Sequence, residues 1–259
     1  MCGVVIRERV LRLNSADTSI TTCPVCNSTK TSYRVSKNAY SFNQCSECDF
    51  LFLFPMPEQE ELNEQYTEGD NELEPACNKP ASRLRRAFLK LPRFLPYAFG
   101  KNTLDFGCGG GFIAHALSYI AKSSMGIDIN ENAIAYAKQQ FKRANYACMD
   151  FAQLLKTEEK YDFVYSSEVI EHVSDINLYM KTLAHLVKKG GYAYITTPDL
   201  GHPKVPEDIT KWSMLCPPIH VQHFTQKTVK VLFKRYGFEV IKFYKHKKPG
   251  LIFLVRKTD

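Results

Sequence analysis

The stretch LDFGCGGGF, residues 104–112, constrains the fold more than any other part of the chain. An apolar, strand-like run ends in a segment with four glycines among its five residues, 107–111. Glycines let the backbone take positive φ and let a ligand approach it closely. At the end of a strand they mark the ligand-binding turn of an α/β sheet. A nicotinamide dinucleotide needs G-x-G-x-x-G, and counting from Gly107 and Gly109 puts Phe112 where the third glycine belongs. That reading fails where side-chain bulk matters. What remains is D-x-G-x-G-x-G, with Asp105 two residues before the first glycine. A carboxylate there suits a ligand carrying a positive group better than a pyrophosphate.

Beyond residue 100 strand-like and helix-like segments alternate. NTLDF, SSMGID, NYACM, YDFVYS and GYAYITT read as strands, and 131–143, 175–188 and 226–236 read as helices. This rhythm predicts a parallel sheet covered on both faces. FEVIKFY and LIFLVRK follow, joined by the short turn KHKKPG, and must pair antiparallel. The fold class expected is therefore α/β, with a Rossmann-like, seven-stranded, mostly parallel sheet ending in an antiparallel hairpin. Upstream, Leu84, Ala87, Phe88 and Leu91 share one helical face within 82–91, and Arg83, Arg85, Arg86 and Lys90 occupy the other. A helix is also expected over 57–66, with a polar linker or flap over 67–80.

The 259 residues include nine cysteines, four of them in the pairs Cys23/Cys26 and Cys45/Cys48 with 18 residues between the pairs. That spacing is a zinc signature, and four thiolates complete a tetrahedral, closed, structural Zn²⁺ site. Asn27 and Asp49 follow the second cysteine of each pair, where a knuckle turns through positive φ. The odd cysteine count and the lack of a secretory signal argue against a disulfide framework. No run approaches the length of a membrane span, so a cytoplasmic protein is expected. The layout expected is a flexible start (1–20), a zinc-knuckle module (21–55), a helical linker or cap over the cofactor site (56–100) and a ligand-binding domain (101–259).

Taken in order, these motifs resemble the class I S-adenosylmethionine (SAM) dependent methyltransferases from about residue 101 to the end. LDFGCGGG looks like their first motif, and the resemblance implies that Asp105, Gly107, Cys108, Gly109 and Gly111 hold the methionine part of SAM. GIDI ends the second strand, with Asp128 implied as the ribose acceptor and Ile129 beside it. CMDF ends the third, with Asp150 implied at the adenine amino group and Phe151 next to it. YDFVYSSEVIEHV matches the fourth strand and brings Ser166 to the cofactor. The preceding cysteine module resembles that of a subgroup whose members modify sugars and other small metabolites.

Methyl transfer to oxygen or nitrogen needs alignment and a proton acceptor. The candidates are His172 with Glu171 beside it, and His220 and His223 in HVQHF. Glu168, Glu171 and His172 also match the E-x-x-E-H order of ubiquinone-pathway O-methyltransferases, where a divalent cation is implied. Against that cation stands the plainer reading, in which the histidine packs beneath the cofactor. Cys108 reads as a small side chain lining the pocket rather than a nucleophile.

Net charge is +7, and between residues 76 and 104 there are seven lysines and arginines and no acid. Three functions stay open at this level. One is a methyltransferase for a small metabolite or sugar, possessing in one version a phosphorylated acceptor. Another is an RNA methyltransferase gripping the backbone with the knuckle and the basic helix. The third is a non-catalytic SAM-binding interaction module.

Overall fold

The computed structural model describes residues 21–62 and 77–259. The expected flexible start (1–20), most of the 67–80 linker and the end of the 57–66 helix lie outside them; 59–62 are helical.

A seven-stranded sheet forms the body, in the order β10-β11-β8-β7-β4-β5-β6. Its strands are β4 (Asn102–Phe106), β5 (Ser123–Asp128), β6 (Asn145–Cys148), β7 (Tyr161–Ser167), β8 (Val187–Pro198), β10 (Phe238–Tyr244) and β11 (Gly250–Lys257). The pairs among β6, β5, β4, β7 and β8 are parallel. The β10–β11 pair is antiparallel, as its short connection requires, and the β8–β11 pair is antiparallel too. The chain runs outward from β4 through β5 to β6, then returns to the other side of β4 to lay down β7 and β8. The reversal beside β4 is a topological switch point, where open α/β sheets bind ligands beyond the carboxyl ends of their strands.

Helix α1 (Pro80–Ala98) is longer than the 82–91 read from periodicity. Pro92 and Pro96 would ordinarily end it. Both face solvent, while Phe94 and Ala98 are fully buried, so the tertiary packing of the second half outweighs the lost backbone bonds. Phe94 meets Phe163, Tyr165 and Tyr194 at 5.1–5.5 Å between ring centres. The next helix, α2 (Phe112–Leu117), starts directly from the glycine turn. α3 (Glu131–Gln140) is capped by Asn130, and α4 (Phe151–Leu154) by a capping box on Asp150 and Gln153. α5 (Ile176–Leu186) covers the opposite face of the sheet from α1, burying Tyr179, Met180 and Leu183, and α6 (Gln226–Arg235) precedes the hairpin.

The cysteine segment builds a second, four-stranded sheet, β1-β2-β3-β9. β1 (Thr31–Lys37), β2 (Tyr40–Cys45) and β3 (Leu51–Leu53) come from the N-terminal part, while β9 is Gln222–His223. A piece from far along the chain therefore completes the sheet, with Leu51 opposite His223 and Phe52 opposite Gln222. α6 adds further ties: Thr228 Oγ1 donates to the Cys48 carbonyl at 2.7 Å, and Arg235 Nη1 donates to the carbonyls of Pro24 and Val25. Asn27 and Asp49 have φ of 60° and 63°, the left-handed turns expected after each cysteine pair.

Gly111 sits at φ +79°, and an added Cβ would lie 2.6 Å from Tyr146 Cε1 and 2.7 Å from Ala137 Cβ. Gly100 has similar φ, +67°, with nothing within 4 Å. Gly100→Ala is expected to cost only the backbone strain, about 1 kcal/mol, and Gly111→Ala about 3 kcal/mol or more through overpacking. Chemical denaturation measures both, and equal costs would show that packing at Gly111 has been misjudged.

Candidate functional site

A cavity of about 650 Å³ opens at the carboxyl ends of β4, β5, β6 and β7. Its floor is the glycine turn, held by two carboxylates, Asp105, which is buried, and Asp128, which is half-buried. Asp105 Oδ2 accepts from the Ala114 N–H at 3.1 Å, and Asp128 Oδ2 accepts from the Gly109 N–H at 2.7 Å. Asp128 Oδ1 accepts from the Asn130 N–H at 3.0 Å. The N–H groups of Gly107 and Cys108 both donate to the Ile127 carbonyl at 2.9 Å. The turn is thus rigid, and its glycines leave the cavity free: a Cβ on Gly107 would run into Val169 Cγ2.

Burial decides the charge of these groups. Desolvation raises the Asp105 carboxyl to about 7, against the opposing bond from Ala114 and the field of Lys90. Asp128 is raised by the same cause and lowered by its bonds from Asn130 and Gly109. Burial also pushes the Cys108 thiol well above its ordinary value, which makes it an inert wall residue.

Of the residues expected at the cofactor, Asp105, Gly107, Cys108, Gly109, Asp128, Ile129, Asp150 and Phe151 line this cavity. Ile129 is 48% exposed, an aliphatic side chain at the rim. Asp150 caps α4 through Oδ1, which accepts from the Gln153 N–H at 2.7 Å. Two expectations change. Ser166 turns to the opposite face of β7, where its Oγ accepts from the Tyr179 hydroxyl at 3.1 Å, and Tyr165 and Ser167 face the cavity instead. A strand's side chains alternate, so the site reads one residue later than Ser166. Gly111 caps α2 against Tyr146 and Ala137 rather than lining the cavity; it is the close-packing glycine that Phe112 had seemed to displace.

The catalytic candidates divide. A 3-10 turn, Ile170–His172, follows β7 and brings His172 into the cavity wall. Its Nδ1 lies 2.8 Å from the Ile219 carbonyl, which assigns the N–H there and leaves the lone pair on Nε2. His220 repeats the pattern, with Nδ1 at 2.8 Å from the Met214 carbonyl, and the two rings meet at 4.8 Å. Glu171 is fully buried: Oε2 accepts from the Thr197 hydroxyl at 2.9 Å, while Oε1 lies 3.9 Å from His172 Nε2 without a hydrogen bond. Desolvation raises the Glu171 carboxyl well above the carboxylate range and lowers His172 to about 4. Donor atoms of Glu171, His172 and His220 lie within 4.8 Å of one another, so these three could hold a cation. Glu168 is not in that cluster; its Oε1 accepts from the Thr196 hydroxyl at 3.0 Å. His223 is a correction: it lies in β9, fully buried between Phe42 and Trp212, and does not reach the cavity. Trp212 is part of the core.

The four cysteine sulfurs also come together within 4.8 Å, with Cys23–Cys48 at 3.6 Å and Cys26–Cys45 at 3.5 Å. Tetrahedral Zn–S bonds of 2.3 Å set sulfur separations of about 3.8 Å, so the set fits the ion with little adjustment.

A family model described as a methyltransferase domain matches residues 79–242, more than half of the sequence. The chain belongs to the methyltransferase domain family. Among curated proteins, this chain is 34% identical over 128 residues to a ubiquinone biosynthesis O-methyltransferase of Coxiella burnetii, covering 46% of this chain and 55% of that one. With the corresponding protein of Sinorhizobium medicae it shares 32% over 102 residues, 38% and 41% of the two chains. The chain thus spans about half the length of the curated relatives it matches. Among solved structures, a SAM-dependent methyltransferase from Mesorhizobium loti aligns with TM-score 0.53 and 21% identity, over 66% of this chain and 97% of that one. A second, from Listeria monocytogenes, aligns with TM-score 0.53 and 19% identity, over 69% and 100%. These two carry the fold. Among the described residues no helix is long and apolar enough to cross a membrane.

Proposed function

We propose that the protein transfers a methyl group from SAM to oxygen or nitrogen of a small-molecule acceptor, such as a sugar, a nucleotide sugar or another metabolite. One observation carries this: Asp105, Asp128 and Asp150, from the ends of three successive strands, converge on one cavity around a glycine turn. Each matches a donor on SAM. Asp105 is an acceptor for the ammonium, Asp128 for the ribose hydroxyls and Asp150 for the adenine amino group. Ile129, Met149 and Phe151 supply apolar surface for the adenine. Bound SAM supplies a methyl group already activated by its sulfonium, so the chain's own work is alignment and exclusion of water.

His172 is the group that this reading places at the acceptor's proton. It lines the cavity, and its Nδ1–H is fixed on Ile219. Burial lowers its pKa to about 4, so it is neutral at physiological pH, a weak base whose acceptor atom is Nε2. A divalent cation on Glu171, His172 and His220 would acidify an acceptor hydroxyl instead. The curated relatives named as ubiquinone O-methyltransferases support a small acceptor.

The test is methyl transfer from labelled SAM into a cell extract. The reading predicts label in the acid-soluble, small-molecule pool. Label confined to nuclease-sensitive polymer would overturn it in favour of an RNA acceptor.

The same reading assigns a structural Zn²⁺ to Cys23, Cys26, Cys45 and Cys48, where it would tie the small sheet to α6. Purified protein should contain about one zinc per chain. Cys45→Ser should release it and lower Tm; unchanged metal content and Tm would remove the ion from the account.

A further inference from the structure

Lys90 is the least expected charge near the cavity. Its side chain is largely buried, and desolvation lowers its pKa while Tyr194, Asp105 and Glu168 draw it back up. Its Nζ donates to the Tyr165 hydroxyl at 2.5 Å and lies 5.0 Å from that ring's centre. One turn on along α1, Arg93 Nη1 donates to the Tyr194 hydroxyl at 2.8 Å, and its Cζ lies 4.8 Å from the Tyr244 ring centre. Lys242, on β10, stands 5.1 Å from the same ring. Tyr165 and Tyr194 stack at 5.7 Å, tilted by only 12°. Three cations from two distant segments are therefore seated on three tyrosines, in a row from the cavity wall to the edge strand of the sheet.

Among the described residues, none of the three lies within ion-pair distance of a carboxylate. Asp105 and Glu168 act on Lys90 only from beyond contact, and a largely buried ammonium without a contacting carboxylate is costly. Three positive charges match a group carrying two or more negative charges better than a single carboxylate. The guanidinium fork of Arg93 suits phosphate oxygens, and the lysines add point charges. Cations stand over Tyr165 and Tyr244, and Tyr194 stacks on Tyr165, which takes up the ring faces that single-stranded nucleic acid uses.

We propose that Lys90, Arg93 and Lys242 form a phosphate subsite for the acceptor, which is then a phosphate or diphosphate ester. This rests on the methyltransferase reading and narrows its substrate class. Lys90 and Tyr165 line the cavity, so the subsite opens directly off the place where methyl transfer would occur. Arg93 and Lys242 do not line it, and they separate an acceptor's phosphate from the carboxylate of SAM as the anion served.

The probe is inorganic pyrophosphate, titrated calorimetrically into protein saturated with S-adenosylhomocysteine. Saturable binding is expected. The Arg93→Ala/Lys242→Ala double variant should weaken it about tenfold or more, the scale of losing charge-assisted bonds. Lys245→Ala/Lys247→Ala, in the exposed turn nearby, should change it by less than about twofold, since the Tyr244 ring gathers Arg93 and Lys242 and not these two lysines. S-adenosylhomocysteine affinity should hold in every variant. Absence of saturable pyrophosphate binding, or equal losses in the two double variants, would overturn the subsite. Failure of S-adenosylhomocysteine to bind the unaltered protein would instead overturn the methyltransferase reading.

Discussion

Two carboxylates behind one loop organise the ligand-binding end of this protein. Asp105 and Asp128 come from adjacent parallel strands, and each accepts a backbone N–H from the glycine turn or from the helix that leaves it. Where the carboxyl is ionised such bonds are stronger than neutral ones, and here they act in a desolvated setting. They hold the loop open without filling the space above it. Gly107 keeps the turn clear of Val169, and Gly111 lets α2 settle against Tyr146 and Ala137. The desolvation that makes these bonds strong also raises the Asp105 carboxyl, so a proton would compete with any cationic group brought to it.

The small sheet is joined to this site mechanically rather than merely tethered to it. β9 pairs with β3 just after His220, and the Val221 N–H donates to the Glu171 carbonyl at 3.0 Å. Gln222 Nε2 donates to the carbonyls of Ile170 and Val173, at 2.6 and 3.0 Å, on either side of His172. The cysteine cluster, through β3 and β9, thus supports the backbone that positions His172 and His220. Gln59 extends the same connection: its Oε1 accepts from the Ser174 N–H at 2.8 Å, and it lines the cavity.

Much of the sheet was legible because each strand is a short apolar run bounded by polar or glycine-rich turns. β4, β5 and β10 coincide with NTLDF, SSMGID and FEVIKFY, and the expected left-handed turns fall on Asn27 and Asp49. The strand-end aspartates were legible too, since strand ends in such sheets face one edge. Long-range placement was not. Nothing local in HVQHF distinguishes His220, which joins Glu171 and His172, from His223, which vanishes into β9. Periodicity stopped α1 at its first proline, because the burial of Phe94 depends on rings from β7 and β8. Ser167 was within reach of simple alternation, and Lys242 on the same tyrosine as Arg93 was not, because a basic residue on a strand carries no sign of the helix above it.

The central claim is that Asp105 meets the ammonium of SAM as a carboxylate, and calorimetric SAM affinity against pH tests it most directly. In the free protein this group holds its proton up to about pH 7, so binding must expel that proton at lower pH. Affinity should therefore rise roughly tenfold or more between about pH 5.5 and about pH 7, close to the limit that linkage sets for one proton. Asp105→Asn should bind more weakly and lose most of the slope. A flat profile for the unaltered protein over that interval, or an Asp105→Asn profile indistinguishable from it, would contradict the account.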